Sequence, residues 1–402
     1  MMEIRPILSA LLRNRAGAIL VALQIAITLA IVVNAIYLTQ QRVSQISRVT
    51  GLDEQNIFSF SVQGFEKDFD FHAMVRDDMA LLRRMPGLLD ATPSNHVPLS
   101  GGGSSTGYYS LPEKKGNQSP ANYYRVDEHG VSTLGVKLAA GTTFDPTMIE
   151  YKDTEEQGQP PVAIVSKAFG EALFPGEKIL VGKDFYDDQS KPVRIIGVIE
   201  HMHGAWVGRD KLDRIVLIPR VIGPNIRYIV RTEPGQIDRM MTEVDSALRK
   251  RDPNRVIGKM RKMSDQKDNS YSGDMLMAIT LTTVTGLVLV FSSLGIFGLA
   301  TFNVNNRTRQ IGTRRAVGAR RIDIVRYFMT ENWLVTTLGV VVGCILALAA
   351  GYWLSTQYQM ARLDLYYLVG GVLGLWAVGQ LAAWQPSLKA AKVSPAMATR
   401  NI

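Results

Sequence analysis

Four uncharged apolar blocks, with one long polar stretch between the first and second, fix what this 402-residue chain can fold into. They cover 17–38, 275–302, 333–354 and 366–384. The first, GAILVALQIAITLAIVVNAIYL, gives about 33 Å of helix at 1.5 Å per residue, enough for a hydrocarbon core of about 30 Å. It is longer than a signal-peptide apolar region, and no small-x-small site closes it, so it reads as a retained helix. Nothing in 39–271 is long enough to span. The fold class expected is an α-helical membrane protein with four transmembrane helices and a mixed α/β extracytoplasmic domain between the first two.

Charge sets the orientation. The chain has 45 Lys and Arg against 36 Asp and Glu, but 39–271 holds 31 of each and is neutral. The remaining 14 basic and 5 acidic residues supply the whole excess of +9. Of those basic residues only Arg362 lies outside the N-terminus, the 305–326 loop and the C-terminal tail. That loop, NNRTRQIGTRRAVGARRIDIVR, holds seven arginines and a single acid, Asp323. Lys and Arg beside spans stay on the cytoplasmic side. The expected order is a cytoplasmic segment 1–16, a span 17–38, and an outer domain 39–274 with stalk helices at its ends. A span 275–303, a cytoplasmic loop 304–326, a span 327–354 and an outer loop 355–365 follow. A span 366–384 and a cytoplasmic tail 385–402 complete it. A neutral large domain argues against nucleic acid as a partner. The one cysteine, Cys344, lies in the third span, so no intramolecular disulfide forms and the residue reads as small apolar packing.

The outer domain reads as short strands at 56–65, 161–165, 193–199, 214–218 and 227–231. Helices are expected at 69–85, 167–173 and 236–251, the last with Ile237, Met240, Met241, Val244 and Leu248 on one face. Segment 92–120, rich in Gly, Ser, Pro and Asn, reads as a loop or mobile insert. Segments 38–50 and 264–274 suit either a paired helical stalk or two flexible linkers.

No chemistry emerges from the motifs. Gly176 to Asp184 imitates a phosphate loop but has five residues between its glycines and an aspartate where Ser or Thr must hold magnesium. Leu99 to Gly103 imitates an ATPase signature in a domain outside the cell's ATP pool. His201 and His203 would share a face on a strand, yet two ligands are too few for a metal. The paired acids Glu155-Glu156 and Asp187-Asp188 read as solvated loops. No catalytic residue, metal site or cofactor site is expected in this chain.

Within the spans, Gln24, Thr28, Asn34 and Glu331 are the polar residues of interest. Such groups avoid lipid and hydrogen-bond across helices. Glu331 is close enough to the interface to pair with an arginine such as Arg326. Gly286, Gly295 and Gly298, with Ser292 and Ser293, and Gly370, Gly371, Gly374 and Gly379 suit close helix packing.

In the basic loop, the second span continues past Phe302 through Gln310, because no breaker intervenes. Gly312 and Gly318 then bracket a short helical turn, Thr313 to Val317. A rigid element held between two spans suits a partner's grip, whereas a plain basic loop would only bind anionic membrane lipids and set topology.

Arg309 to Ala319, RQIGTRRAVGA, followed by IVRYFMTE at 324–331, resembles the junction between the second and third spans of FtsX/MacB-type ABC permeases. The tail 385–400, QPSLKAAKVSPAMATR, is similar to the same family's C-terminal signature. Segments 131–144 and 162–199 look like the MacB periplasmic core. The resemblance implies a permease subunit of a type VII ABC system in the inner membrane, with a second permease, identical or related. Separate ABC ATPase subunits, two in such systems, would bind the ATP and magnesium and dock on Arg309, Gln310, Ile311, Gly312, Arg314, Arg315, Ala316 and Gly318. A periplasmic adaptor and a TolC-like outer-membrane channel are further partners in relatives. The alternatives left open are an FtsX-like regulator of a cell-wall hydrolase and a lipoprotein-extracting permease. The fused ATPase domain of MacB is absent from the sequence, so the ATPase is expected on another chain. Gln310 stands where the family usually has Glu.

Overall fold

The computed structural model describes residues 15–64, 70–152, 159–208, 211–223, 226–252, 255–358 and 363–394. The chain divides into two compact units, one of residues 1–46 and 274–402, the other of residues 47–273. The helices, in chain order, are α1 (Arg15–Ile46), α2 (Phe71–Leu82), α3 (Gly130–Leu134), α4 (Lys167–Leu173) and α5 (Ile237–Arg251). After them come α6 (Met263–Asn306), α7 (Thr308–Ala316), α8 (Arg321–Tyr358) and α9 (Leu365–Ala391).

Helices α1, α6, α8 and α9 are each long and apolar enough to cross a membrane. Helix α1 packs Val21, Ile25, Leu29 and Val33 against Val335, Val340 and Ala347 of α8 and Leu368 and Leu375 of α9. The approach of α1 to α8 depends on Gly339 and Gly343, four residues apart and so on one face. A Cβ on Gly343 would lie 2.9 Å from Leu29 Cβ and 3.0 Å from the Ala26 carbonyl oxygen. This Gly-x-x-x-Gly pair lies in the third span, whereas close packing is expected from the glycines of the second and fourth spans. Of those, Gly295, Gly371 and Gly379 pack on neighbours, while Gly286, Gly298, Gly370 and Gly374 meet nothing within 4 Å. Gly343→Val should therefore cost about 1–3 kcal/mol by overpacking. A lowered unfolding midpoint in detergent, with Gly370→Val unchanged, is the expected result.

The stalk segments are helical. Helix α1 continues to Ile46 and α6 begins at Met263, and Arg42 of α1 pairs with Asp274 of α6 at 2.9 Å. At 44 residues α6 is about 66 Å long, far more than a bilayer core requires.

The strands of the second unit are β1 (Ile57–Gly64), β2 (Leu88–Ser94), β3 (Ser105–Leu111), β4 (Lys115–Val126), β5 (Leu138–Gly141), β6 (Glu150–Lys152) and β7 (Val162–Ser166). Next are β8 (Asp184–Tyr186), β9 (Pro192–Ile199), β10 (Ile215–Ile222), β11 (Ile226–Thr232), β12 (Arg255–Ile257) and β13 (Arg261–Lys262). One sheet runs β12-β1-β11-β2, with β13 also on β1. Side chains alternate across it. Phe58, Phe60, Val62, Tyr228 and Val230 form a core with Met74, Val75 and Met79 of α2 and Met240, Val244 and Leu248 of α5. The second sheet runs β4-β3-β8-β9-β7-β10, and β10 pairs again with β4, closing it on itself. Inside it, Tyr108, Phe169 and Phe185 meet edge to face with ring centroids 5.2–5.5 Å apart.

Several expectations change here. Segment 92–120 is not a loop: it contains the end of β2, all of β3 and the start of β4. Tyr108, Tyr109, Tyr123 and Tyr124 favour strands. The β3–β4 turn is of type I′, with Glu113 at φ 57° and Lys114 at φ 59° and a Lys115 N to Pro112 O bond. That turn normally announces itself with Asn-Gly, which is absent here. His201 and His203 lie beyond the end of β9, not on a strand. Asp187 is buried rather than solvated, because its carboxylate accepts the Gln189 and Lys191 backbone N–H groups at 2.9 and 2.8 Å. Glu155 and Glu156 lie outside the described residues, as do most of 1–16, Arg362, and the Pro395 to Arg400 part of the tail motif. Helix α9 runs on to Ala391, so the start of the tail is helical.

Candidate functional site

The loop between the second and third apolar helices is built as a separate helix, broken from α6 at Arg307 and stopped at Gly318. Helix α6 stops at Asn306, four residues before the expected Gln310. Arg307 breaks the run with φ −109° and ψ 12°, and α7 starts at Thr308. The Thr308 hydroxyl donates to the Asn305 carbonyl at 2.8 Å, competing with the helical backbone bonds there. Gly312 does not punctuate α7; it is buried inside it. Gly318 does end it, with φ +108°. Gly318 N–H donates to Arg315 O at 3.2 Å and Ala319 N–H to Arg314 O at 3.0 Å, the paired bonds of a Schellman stop. Helix α8 then opens with Asp323 accepting the Arg320 backbone N–H at 3.0 Å.

Helix α7 has two faces. Ile311, 4% exposed, and Gly312 face inward, and Ile311 packs with Val304, Ile324, Val325, Phe328, Ala390 and Ala391. Arg309, Gln310, Thr313, Arg314 and Ala316 are exposed. Arg314 lies over the Tyr327 ring at 4.7 Å, a contact that holds the guanidinium without neutralising it. Arg315, expected on the docking face with Arg314, is half-buried and donates to the Ala391 carbonyl of α9 at 3.1 Å. Val317, just past α7, is 85% exposed and apolar.

At the base of α7, Arg307 Nη1 donates to Glu331 Oε2 at 2.9 Å. Glu331 thus pairs with Arg307, not with Arg326. Arg326 is five residues earlier on the same helix, well off the Glu331 face, and it is exposed while Glu331 is buried. The Arg307 and Glu331 side chains are 15% and 6% exposed, and they tie the break before α7 to the first turns of α8. Asn332, beside Glu331, donates to the Gly379 carbonyl of α9 at 3.0 Å. The other polar residues lie in the helix bundle: Gln24 donates to Phe291 O at 3.1 Å and Asn34 to Ala347 O at 3.1 Å, while Thr28 is buried. Sequence reasoning missed Arg307 and Val317. Arg307 is one of seven similar arginines, and only the chain break sets it apart.

The outer unit also holds a pair of histidines. His203 is buried, and its ring meets His201 at 4.7 Å. Burial, then the charges of His201, Arg48 and Lys267, push the His203 pKa down to about 4 against the opposing pull of Asp213. The folded form stays neutral where the unfolded chain takes up a proton. Stability is therefore full above about pH 6.5 and falls as pH drops toward 4. A loss of about 2 kcal/mol between pH 7 and 4.5 is expected, and His203→Gln should remove it. Chemical denaturation at the two pH values measures both.

These features define a membrane protein whose α/β domain is inserted between its first and second apolar helices, with a capped basic helix between the second and third. Residues 18–262 match the MacB-like periplasmic core domain and residues 282–395 the FtsX-like permease C-terminal domain. The chain belongs to the MacB/FtsX-type family of ABC transporter permeases. It is 30% identical over 240 residues to the macrolide export ATP-binding/permease protein MacB of Brucella melitensis biotype 1, covering 56% of this chain and 36% of that one. It is 25% identical over 289 residues to the pyoverdine export ATP-binding/permease protein PvdT of Pseudomonas syringae pv. tomato, covering 68% and 42%. The chain thus spans under half the length of these curated relatives. The solved extracellular domain of the noncanonic ABC-type transporter YknZ from Gram-positive bacteria aligns over 50% of this chain and all of its own, with 15% identity and a TM-score of 0.31.

Proposed function

We propose that this chain is the permease subunit of an ABC export complex in the inner membrane, with its termini cytoplasmic. An ATPase outside these 402 residues grips α7, and the force passes into α6 and α8 to move the periplasmic domain and expel a substrate. The permease itself performs no catalysis. Two ATPases and two permeases, identical or related, would make the working unit, and an adaptor and outer-membrane channel would extend it.

The observation that carries this reading is the attachment of α7. It is free on the Arg309, Gln310, Thr313 and Arg314 face and pinned elsewhere by Ile311, Arg315 and the Arg307–Glu331 pair. A loop that only set topology would need its charges but not a buried underside. The pin at Arg307 and Glu331 is the transmitting contact in this account. Removing Glu331 leaves half-buried Arg307 without its carboxylate, with only the Tyr327 hydroxyl 3.5 Å away, and frees the break before α7 from α8. Glu331→Ala is therefore expected to retain ATPase binding while losing most of the ATP-driven export. Export at the wild-type rate in that variant would contradict the transmitting role.

A further inference from the structure

The face of β1 turned away from the apolar core floors a cavity of about 470 Å³ in the outer unit. Ser59 and Ser61 lie two residues apart and share that face. Ser61 stands opposite Arg227 across the β1–β11 pair, and Ser59 opposite Arg261 across the β1–β13 pair. Lys259 joins them in the lining. Buried Gln266 donates to Ser59 Oγ at 2.8 Å, which fixes that oxygen as an acceptor and leaves the Ser59 proton to point elsewhere. Arg227 spends one N–H on the Asn95 carbonyl at 3.2 Å and keeps the rest of its fork. Among the described residues, Lys259 and Arg261 have no ion-pair partner, and no Asp or Glu lines the cavity.

This concentration is out of character for the domain. Segment 39–271 is charge-balanced, and many of its other arginines meet carboxylates, among them Arg83, Arg194, Arg220, Arg231, Arg249, Arg251 and Arg255. Three cations left unpaired around one concavity focus a positive potential into it. The volume falls in the range of pockets that take small organic ligands, about 300–1,000 Å³. Arginine forks match carboxylates two bonds at a time, and the serine hydroxyls add neutral donors on the floor.

We propose that this cavity binds a small organic anion bearing two or more carboxylates. As a holding site for exported cargo it rests on the transport reading above; as an anion site it stands on its own geometry. The test is calorimetric titration of the purified full chain, in uncharged detergent and without ATPase, using citrate as the probe and triethyl citrate as its uncharged counterpart. Saturable citrate binding that weakens with salt is expected, with none for the ester. Arg227→Ala and Arg261→Ala should each weaken citrate about tenfold, the scale of one lost charge-assisted contact. Arg239→Ala, whose side chain pairs with Glu243 on α5, should leave it unchanged. Equal unfolding midpoints across the variants would exclude a folding defect. Citrate binding no tighter than the ester, or unchanged in the Arg227→Ala, Arg261→Ala double variant, would overturn the proposal. With no ATPase in the cell, either result leaves the role of α7 to be judged separately.

Discussion

Reversing Arg309 and Arg314 together to Glu is expected to lower permease-stimulated ATP hydrolysis at least tenfold while leaving the outer domain folded. Both side chains are exposed on the free face of α7. Among the described residues the Arg314 side chain contacts the Tyr327 ring alone, so its replacement forfeits little inside the chain. Two reversals convert attractive contacts with a partner into repulsive ones, and like-charge juxtaposition at an interface costs several kcal/mol. Arg315 is a poor substitute for either position. Its bond to the Ala391 carbonyl means that Arg315→Glu would loosen α7 itself and confuse docking with packing. Circular dichroism of the double variant should match the wild type. Compensating reversals on the ATPase should restore the rate, an outcome that simple misfolding would not give.

Asp78→Ala is expected to be the most damaging single change to the outer domain, costing about 3–5 kcal/mol. Asp78 and Arg255 are each 1% exposed and meet at 2.6 Å. Arg255 also donates to the Leu248 carbonyl at 2.6 Å, and the Tyr228 hydroxyl donates to Asp78 at 2.9 Å. Removing the carboxylate strands a guanidinium and a phenol within the core beneath α2 and α5. The contrast is Glu243→Ala, which breaks an exposed pair with Arg239 and should change stability by well under about 1 kcal/mol. Urea denaturation of the two variants measures the difference. Similar midpoints would show that the buried pair contributes nothing net.

The architecture was legible in the sequence wherever a strong periodic or charge signal existed. The four apolar blocks gave the long helices, because a bilayer's thickness demands runs of that length. Met240, Val244 and Leu248 marked the buried side of α5 by spacing alone. The β3–β4 hairpin was hidden because two residues without turn preference, Glu113 and Lys114, occupy the left-handed positions of its turn. Asp78 and Arg255 lie 177 residues apart, and no local pattern links them. The candidate site divides the same way. The seven arginines of 305–326 and the stop at Gly318 were visible. Which arginine faces outward, which pins α9 and which meets Glu331 depends on where α6 breaks, and no helix breaker marks Arg307.

If α7 drives the outer domain, ATP turnover must change the distance between them. The chain's one cysteine, Cys344, can be replaced by Ala, and labels attached at Ile179→Cys and Val317→Cys, positions 74% and 85% exposed. Spin-label distances between these sites, in the complete complex with its ATPase, should shift between the nucleotide-free and vanadate-trapped states. That shift should vanish in Glu331→Ala. An unchanged distance distribution while the complex hydrolyses ATP and exports at full rate would contradict the account.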